Sequence, residues 1–154
     1  MTSNYTNASD REQIVQVCNS MAWFCDRRRW GELEMLFTTL VELDYTSLWG
    51  GEPQKIGRVD LVSSWSETLG RLDATQHIIA SHLVSVEKSG EAATCVANFQ
   101  ATHVGKVRGD NATWTLGGHY RFDFVLDDTH WRISKLTMTR VWETGPREVI
   151  TGSV

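Results

Sequence analysis

Apolar residues recur along this chain in two rhythms. From Ile14 onward, Val17, Cys18, Met21 and Cys25 fall at the three- and four-residue spacing of a helix that faces a core. Ser9-Asp10-Arg11-Glu12 has the form of a capping box, so the spacing predicts a first helix from Ser9 to about Arg28. Trp30 to Phe37 predicts a short second helix with Leu33, Leu36 and Phe37 inward. Asp60 to Leu72 predicts a third, with Leu61, Trp65, Leu69 and Leu72 on one stripe. Elsewhere the period is two. Val41, Leu43, Tyr45, Ser47 and Trp49 alternate with Glu42, Asp44, Thr46 and Leu48, which predicts a strand ending in the turn Gly50-Gly51-Glu52-Pro53. Four long strands follow, over His77–Glu87, Ala92–Val104, Thr113–Leu126 and Trp131–Trp142. Ser89-Gly90, a polar loop over Gly105–Asn111, and Asp127-Asp128 join them.

Helices first and consecutive strands after them specify an α+β protein. The expected architecture is a curved antiparallel sheet wrapped around three N-terminal helices, a cone with an internal cavity. Residues 9–144 form its single domain. Residues 1–8 are expected to be a disordered tail, and residues 145–154, from Gly145-Pro146 onward, a flexible one.

Composition narrows the function classes. The 154 residues are 41% hydrophobic and 22% charged, ordinary for a globular domain, but seven Trp are many and point to an aromatic core or pocket. A formal net charge of -4, with no basic stretch beyond Arg27-Arg28-Arg29, argues against nucleic acid or an anionic membrane as partner. Met1 to Ala8 lacks the basic and apolar regions of a signal peptide, and no run is long enough to span a bilayer. A cytoplasmic location is therefore expected, and the sequons at Asn4 and Asn111 are discounted. Cys18, Cys25 and Cys95 lack zinc-ligand spacing and read as reduced, buried thiols. No His/carboxylate cluster at ligand spacing appears, so no metal is expected.

Three ionisable residues fall where the pattern turns side chains inward: Asp26, His77 within Thr75-Gln76-His77, and His103 on the face shared by Cys95, Phe99 and Ala101. Burying such groups is costly unless they pair, so together they suggest a proton-transfer site. Asp26 ends the first helix, where the macrodipole disfavours an anion. It either pairs with Arg28 or Arg29 at the surface or faces the cavity and orients a histidine. His77 is either an interface histidine or a general base, and imidazole is suited to that role near neutral pH. His103 is either a hydrogen-bonded core residue or a second acid–base group. Tyr45, inward on its strand, either ties down a carbonyl or donates to a developing oxyanion. Trp49 on the same face is a candidate pocket wall, as are Met21, Cys25, Phe99 and Tyr120. The periodicity leaves the face of His82 open, and His119 and His130 read as outward.

The segments Phe24-Cys25-Asp26-Arg27-Arg28-Arg29-Trp30, Leu43-Asp44-Tyr45-Thr46-Ser47-Leu48 and Thr75-Gln76-His77, in this order and spacing, resemble scytalone dehydratase and its SnoaL-like relatives in the NTF2-like superfamily. The resemblance runs from Asp10 to Trp142. It implies a deep pocket in which an Asp and two His, with Tyr residues, handle a proton and a leaving hydroxyl without metal or organic cofactor. Asp26, Tyr45, His77 and His103 match those positions. Asp26 and His77 also resemble the Asp–His dyad of lindane dehydrochlorinase. Three features depart from the dehydratase pattern: Cys25 stands where a Tyr is usual, Tyr120 where an Asn is usual, and the C-terminal segment that closes the pocket is shorter. No equivalent of the Asp-Arg-Asp arrangement of limonene epoxide hydrolases is found.

On this reading His77, oriented by Asp26 or by water, removes a proton alpha to a carbonyl in a small apolar cyclic or polyketide-like substrate. Tyr45 steadies the enolate, and His103 protonates the departing hydroxyl or shares Asp26. The expected activity is a dehydratase-type lyase, with an isomerase or cyclase on the same site as the runner-up. Rival readings are a non-catalytic carrier of apolar rings and a small assembly module. A homo-oligomer is expected from the need to cover the outer sheet face, and the resemblance implies a dimer or trimer.

Overall fold

The computed structural model describes residues 3–152. The order of elements is α1 (Ser3–Asp26), α2 (Trp30–Glu34), β1 (Phe37–Asp44), α3 (Thr46–Trp49), β2 (Gln54–Gly57), α4 (Arg58–Leu69), β3 (Ala74–Val86), β4 (Ala92–Val107), β5 (Asp110–Asp127), β6 (His130–Thr144) and α5 (Glu148–Thr151). The six strands form one sheet in the order β2-β1-β6-β5-β4-β3. Every neighbouring pair is antiparallel except β1 with β6, which run parallel. This is the expected α+β cone, with α1 laid across β3 and the cavity between the helices and the concave face.

The inward face of β4 explains the hollow. Ala93, Ala97 and Ala101 alternate with Cys95, Phe99 and His103, all buried. Three methyl-sized side chains on one face leave space that β5 lines from one side with Trp114, Leu116 and Tyr120. Farther along β5, Phe122 and Phe124 fill the solid end of the core.

Several expected boundaries shift, each for a local reason. Helix α1 begins at Ser3, so Ser9-Asp10-Arg11-Glu12 does not open it and residues 3–8, expected as tail, are helical; residues 1 and 2 of that expected tail lie outside the described residues. It ends in a Schellman arrangement: the Arg29 N–H donates to the Phe24 carbonyl (2.8 Å) and the Arg28 N–H to that of Cys25 (3.1 Å). Arg28 takes the left-handed backbone (φ 58°) that glycine usually supplies there. Phe37 opens β1 instead of closing α2. The strand expected over Val41–Trp49 stops at Asp44, because the Asp44 carboxylate accepts from the Thr46 N–H (3.0 Å) and hydroxyl (2.7 Å) and turns the chain into α3. The supposed loop over Gly105–Asn111 is mostly strand. Val107 pairs with Asp110, and Arg108 and Gly109 form a two-residue turn with φ 51° and 85°.

β3 carries a bulge between Ala80 and Leu83, where Ser81 has φ 60°. It reverses the inward parity, so His77 and Ile79 face in before it and His82, Val84 and Val86 after it. Residues 145–152 of the expected flexible segment are not loose: Val149 and Ile150 are buried, and α5 packs on β4 and β5, while residues 153 and 154 lie outside the described residues. Among the described residues no helix is long and apolar enough to cross a membrane.

Candidate active site

Asp26 lies at the carboxyl end of α1, where the helix dipole opposes a negative charge. Three donors compensate. The Thr75 hydroxyl donates to Oδ1 at 2.9 Å, the His77 backbone N–H to Oδ2 at 2.7 Å, and His77 Nδ1 lies 2.7 Å from Oδ1. The arginines that could have drawn Asp26 to the surface are engaged elsewhere: Arg28 on the Gly70 and Leu72 carbonyls, Arg29 on Glu32. The side chain of Asp26 is 6% exposed and that of His77 13%. Because an ionised carboxylate only accepts, Nδ1 of His77 carries the hydrogen and Nε2 is the basic nitrogen.

His77 opens onto a cavity of about 490 Å³, a volume suited to a small organic ligand. Its lining includes eight of the nine residues singled out from the sequence: Met21, Cys25, Tyr45, Trp49, His77, Phe99, His103 and Tyr120. Asp26, the ninth, stands behind His77. Tyr45 and Trp49 do not share a strand face as expected. Tyr45 sits at the β1–α3 junction and Trp49 ends α3, yet both reach the cavity. The register places His77 opposite Ala101 and His103 opposite Thr75, so the two imidazoles are neighbours, 5.7 Å between ring centres and edge to face.

The environments of the two histidines differ. His103 is the buried polar side chain of the core, 4% exposed. Its Nδ1 lies 3.2 Å from the Trp114 carbonyl oxygen, an acceptor only, so Nδ1 carries hydrogen and Nε2 the lone pair. Burial, then the neighbouring His77, push its pKa down to about 4. His103 is therefore neutral near pH 7, and its Nδ1 partner is the Trp114 carbonyl rather than Asp26.

Burial raises both phenols: Tyr45 and Tyr120 are held neutral as neighbours in the same cavity wall. Phe99 stacks on Tyr120 at 4.3 Å. Burial, and secondarily Asp26, raise Cys25 to about 12, which keeps it an unreactive thiol where the family pattern has a tyrosine. Cys18, Cys25 and Cys95 are all free and buried. His82 turns inward past the bulge, away from this cavity, with a buried Nε2 that has no partner among the described residues.

Sequence reasoning missed Trp114 and the Ile150–Thr151 wall. Trp114 falls within the predicted strand Thr113–Leu126, where alternation alone does not separate cavity lining from core. Ile150 and Thr151 lie in the segment expected to be loose. Among the described residues no group of three or more His, Cys, Asp or Glu could hold a metal ion.

Comparison with known proteins bears on this geometry. The SnoaL-like domain family matches residues 6–137. The chain belongs to the SnoaL-like domain family. The uncharacterized protein Rv2910c of Mycobacterium tuberculosis is similar over 136 residues at 25% identity, covering 88% of each chain. Among solved structures, the Kfla4162 protein of Kribbella flavida superposes with a TM-score of 0.82 at 23% identity, covering 90% of this chain and 95% of that one. A hexachlorocyclohexane dehydrochlorinase, LinA type 2, gives 0.76 at 18% identity, covering 94% and 93%. A Novosphingobium aromaticivorans protein assigned by name to the scytalone dehydratases gives 0.77 at 18%, covering 90% and 89%. At these identities the likeness to the solved structures shows the fold alone, the NTF2-like cone.

Proposed function

We propose that this SnoaL-like protein is an acid–base enzyme, independent of metal or organic cofactor, that dehydrates a small, uncharged, apolar cyclic substrate. The observation that carries the reading is the dyad: His77 hydrogen-bonded to a buried Asp26, with its basic nitrogen free, at the wall of a cavity of about 490 Å³. The lining supports the substrate class. Trp49, Trp65, Phe99 and Trp114 give it aromatic walls, and among the described lining residues there is no Lys or Arg to hold a phosphate or carboxylate.

In the proposed reaction His77 Nε2 takes the proton alpha to a ring carbonyl, and the C–H electron pair becomes the enolate. The Tyr45–Tyr120 pair donates to the enolate oxygen. His103 accepts a hydrogen bond from the beta hydroxyl and orients it. As the enolate collapses, the C–O bond breaks, the ring double bond forms, and protonated His77 returns its proton so that hydroxide leaves as water. General base catalysis supplies about 10²–10⁴-fold and an oriented oxyanion donor about 10²–10³-fold, enough for an activated carbon acid.

One observation favours a second outcome of the same proton abstraction. His103 is neutral, so His77 carries the mobile proton, and returning it to a different carbon would make the enzyme an isomerase. The test is a panel of cyclic ketones and beta-hydroxy ketones, ranked by thermal shift and followed by NMR for loss of water or migration of a double bond. Turnover that disappears in His77→Ala and Asp26→Asn supports the reading. Full turnover in both folded variants makes the dyad structural, and tight binding without turnover by the wild type makes the protein a carrier.

A further inference from the structure

Glu143 lies on β6 outside the cavity and touches none of the proposed reacting groups, yet three cavity walls depend on it. One carboxylate oxygen accepts from Trp114 Nε1 at 2.9 Å and from Arg147 Nε at 2.7 Å. The other accepts from Arg147 Nη2 at 2.6 Å and Arg140 Nη1 at 2.9 Å. Arg147 also donates to the Leu48 carbonyl at 3.0 Å and lies over the Trp49 ring at 5.6 Å, so the cluster reaches α3. Arg147 immediately precedes α5, whose Ile150 and Thr151 close the cavity. The chain can fold back this way because Gly145 takes φ 86°, with its α-carbon so near the Thr113 carbonyl that a side chain would collide with it.

Trp114 carries the connection inward. Its carbonyl accepts from His103 Nδ1, and its indole lies against the His103 ring, 4.8 Å between centres and tilted 31°. The indole is 1% exposed, and its one polar atom is anchored by Glu143. Fixing the indole therefore fixes the surface on which His103 rests.

We propose that Glu143, clamped by Arg140 and Arg147, is a positioning residue: through Trp114 it holds His103 as the Nδ1–H tautomer, and through Arg147 it latches α5 and α3 around the cavity. The importance of His103 to the chemistry rests on the function proposed above. The positioning itself does not, so its test needs no turnover.

Histidine-labelled protein, read by long-range ¹H–¹⁵N correlation, reports the tautomer of His77 and His103 separately. The wild type is expected to show His103 as a single Nδ1–H form. Glu143→Ala is expected to mix the His103 tautomers and leave His77 unchanged. Glu143→Gln, which keeps an acceptor for Trp114 Nε1 but loses the charge facing Arg147, restores the His103 pattern. Both variants raise hydrogen exchange at the amides of Ile150, Thr151 and Gly152 by about tenfold or more, as loss of a charge-assisted hydrogen bond implies. A folded Glu143→Ala protein with an unaltered His103 pattern overturns the proposal. Should Glu143→Ala fail to fold, Arg147→Met serves: faster exchange in α5 supports the latch, and unchanged exchange overturns it. A failed dehydratase reading would leave these spectra as they are, so the two failures are distinguishable.

Discussion

Two imidazoles stand side by side on adjacent strands of this sheet, and their surroundings assign them different chemistry. His77 rests on a carboxylate through Nδ1; His103 rests on a backbone carbonyl through Nδ1. Both therefore present Nε2 as the acceptor nitrogen. They differ in what happens when a proton arrives. Protonated His77 has an anionic partner 2.7 Å away, whereas protonated His103 would be a buried cation on a neutral acceptor beside another imidazole. Burial alone does not make a histidine catalytic; the charge of its partner decides whether it can carry a proton.

The largest effect that would sharpen this contrast is on turnover. His77→Ala is expected to lose about 10²–10⁴-fold in kcat, the range of a removed general base, on whichever ketone the panel identifies. His103→Gln, which keeps an acceptor, is expected to lose far less, and equal losses would erase the distinction.

The second effect is on stability against pH. The folded pKa of His103 is depressed to about 4 from the usual 6.5, so between those values the unfolded chain binds the proton and the folded chain does not. Stability therefore falls as pH drops from about 6.5 to 4, by at most about 3 kcal/mol from this group. Urea unfolding at several pH values measures the slope, and His103→Gln is expected to flatten it.

The third is Asp26→Asn. Its amide must replace acceptor oxygens that now serve Thr75, the His77 N–H and His77 Nδ1. One buried donor is then left facing another, at a cost of roughly 1–3 kcal/mol, readable by urea unfolding at pH 7.

The smallest effect is the control. His82 lies beyond the β3 bulge, and among the described residues its buried Nε2 has no hydrogen-bond partner. His82→Leu removes a buried nitrogen without a partner, so it is expected not to destabilise the fold and to leave turnover intact. A loss of turnover would mean that the His77–His103 comparison omits a third group.

Much of this was legible in the sequence, for identifiable reasons. The apolar face of β4 placed His103 without ambiguity, because strand parity there is unbroken over Cys95 to His103. Asp26 stood out because an anion at a helix carboxyl end needs compensation. Parity failed where the backbone departs from regularity. The Ser81 bulge hid the face of His82. The Asp44–Thr46 turn converted a predicted strand into α3 while still delivering Tyr45 and Trp49 to the cavity. Arg108-Gly109 was not read as a hairpin turn because Arg seldom supplies a positive φ. The Glu143 cluster was missed because Arg140, Glu143 and Arg147 span the end of a strand and a turn, where no periodicity brings charges together. The spacing of Glu143 and Arg147 by four residues was the available signal.

The account centres on proton abstraction by His77, and the most direct measurement is exchange of the alpha protons of a bound cyclic ketone with D₂O, followed by ¹H NMR. Such exchange reports carbon acidity whether the reaction ends in elimination or isomerisation. The wild type is expected to accelerate exchange over buffer, and His77→Ala to lose about 10²–10⁴-fold of that acceleration while still binding the ketone. Equal exchange by the wild type and His77→Ala, with the ketone bound to both, would contradict the account.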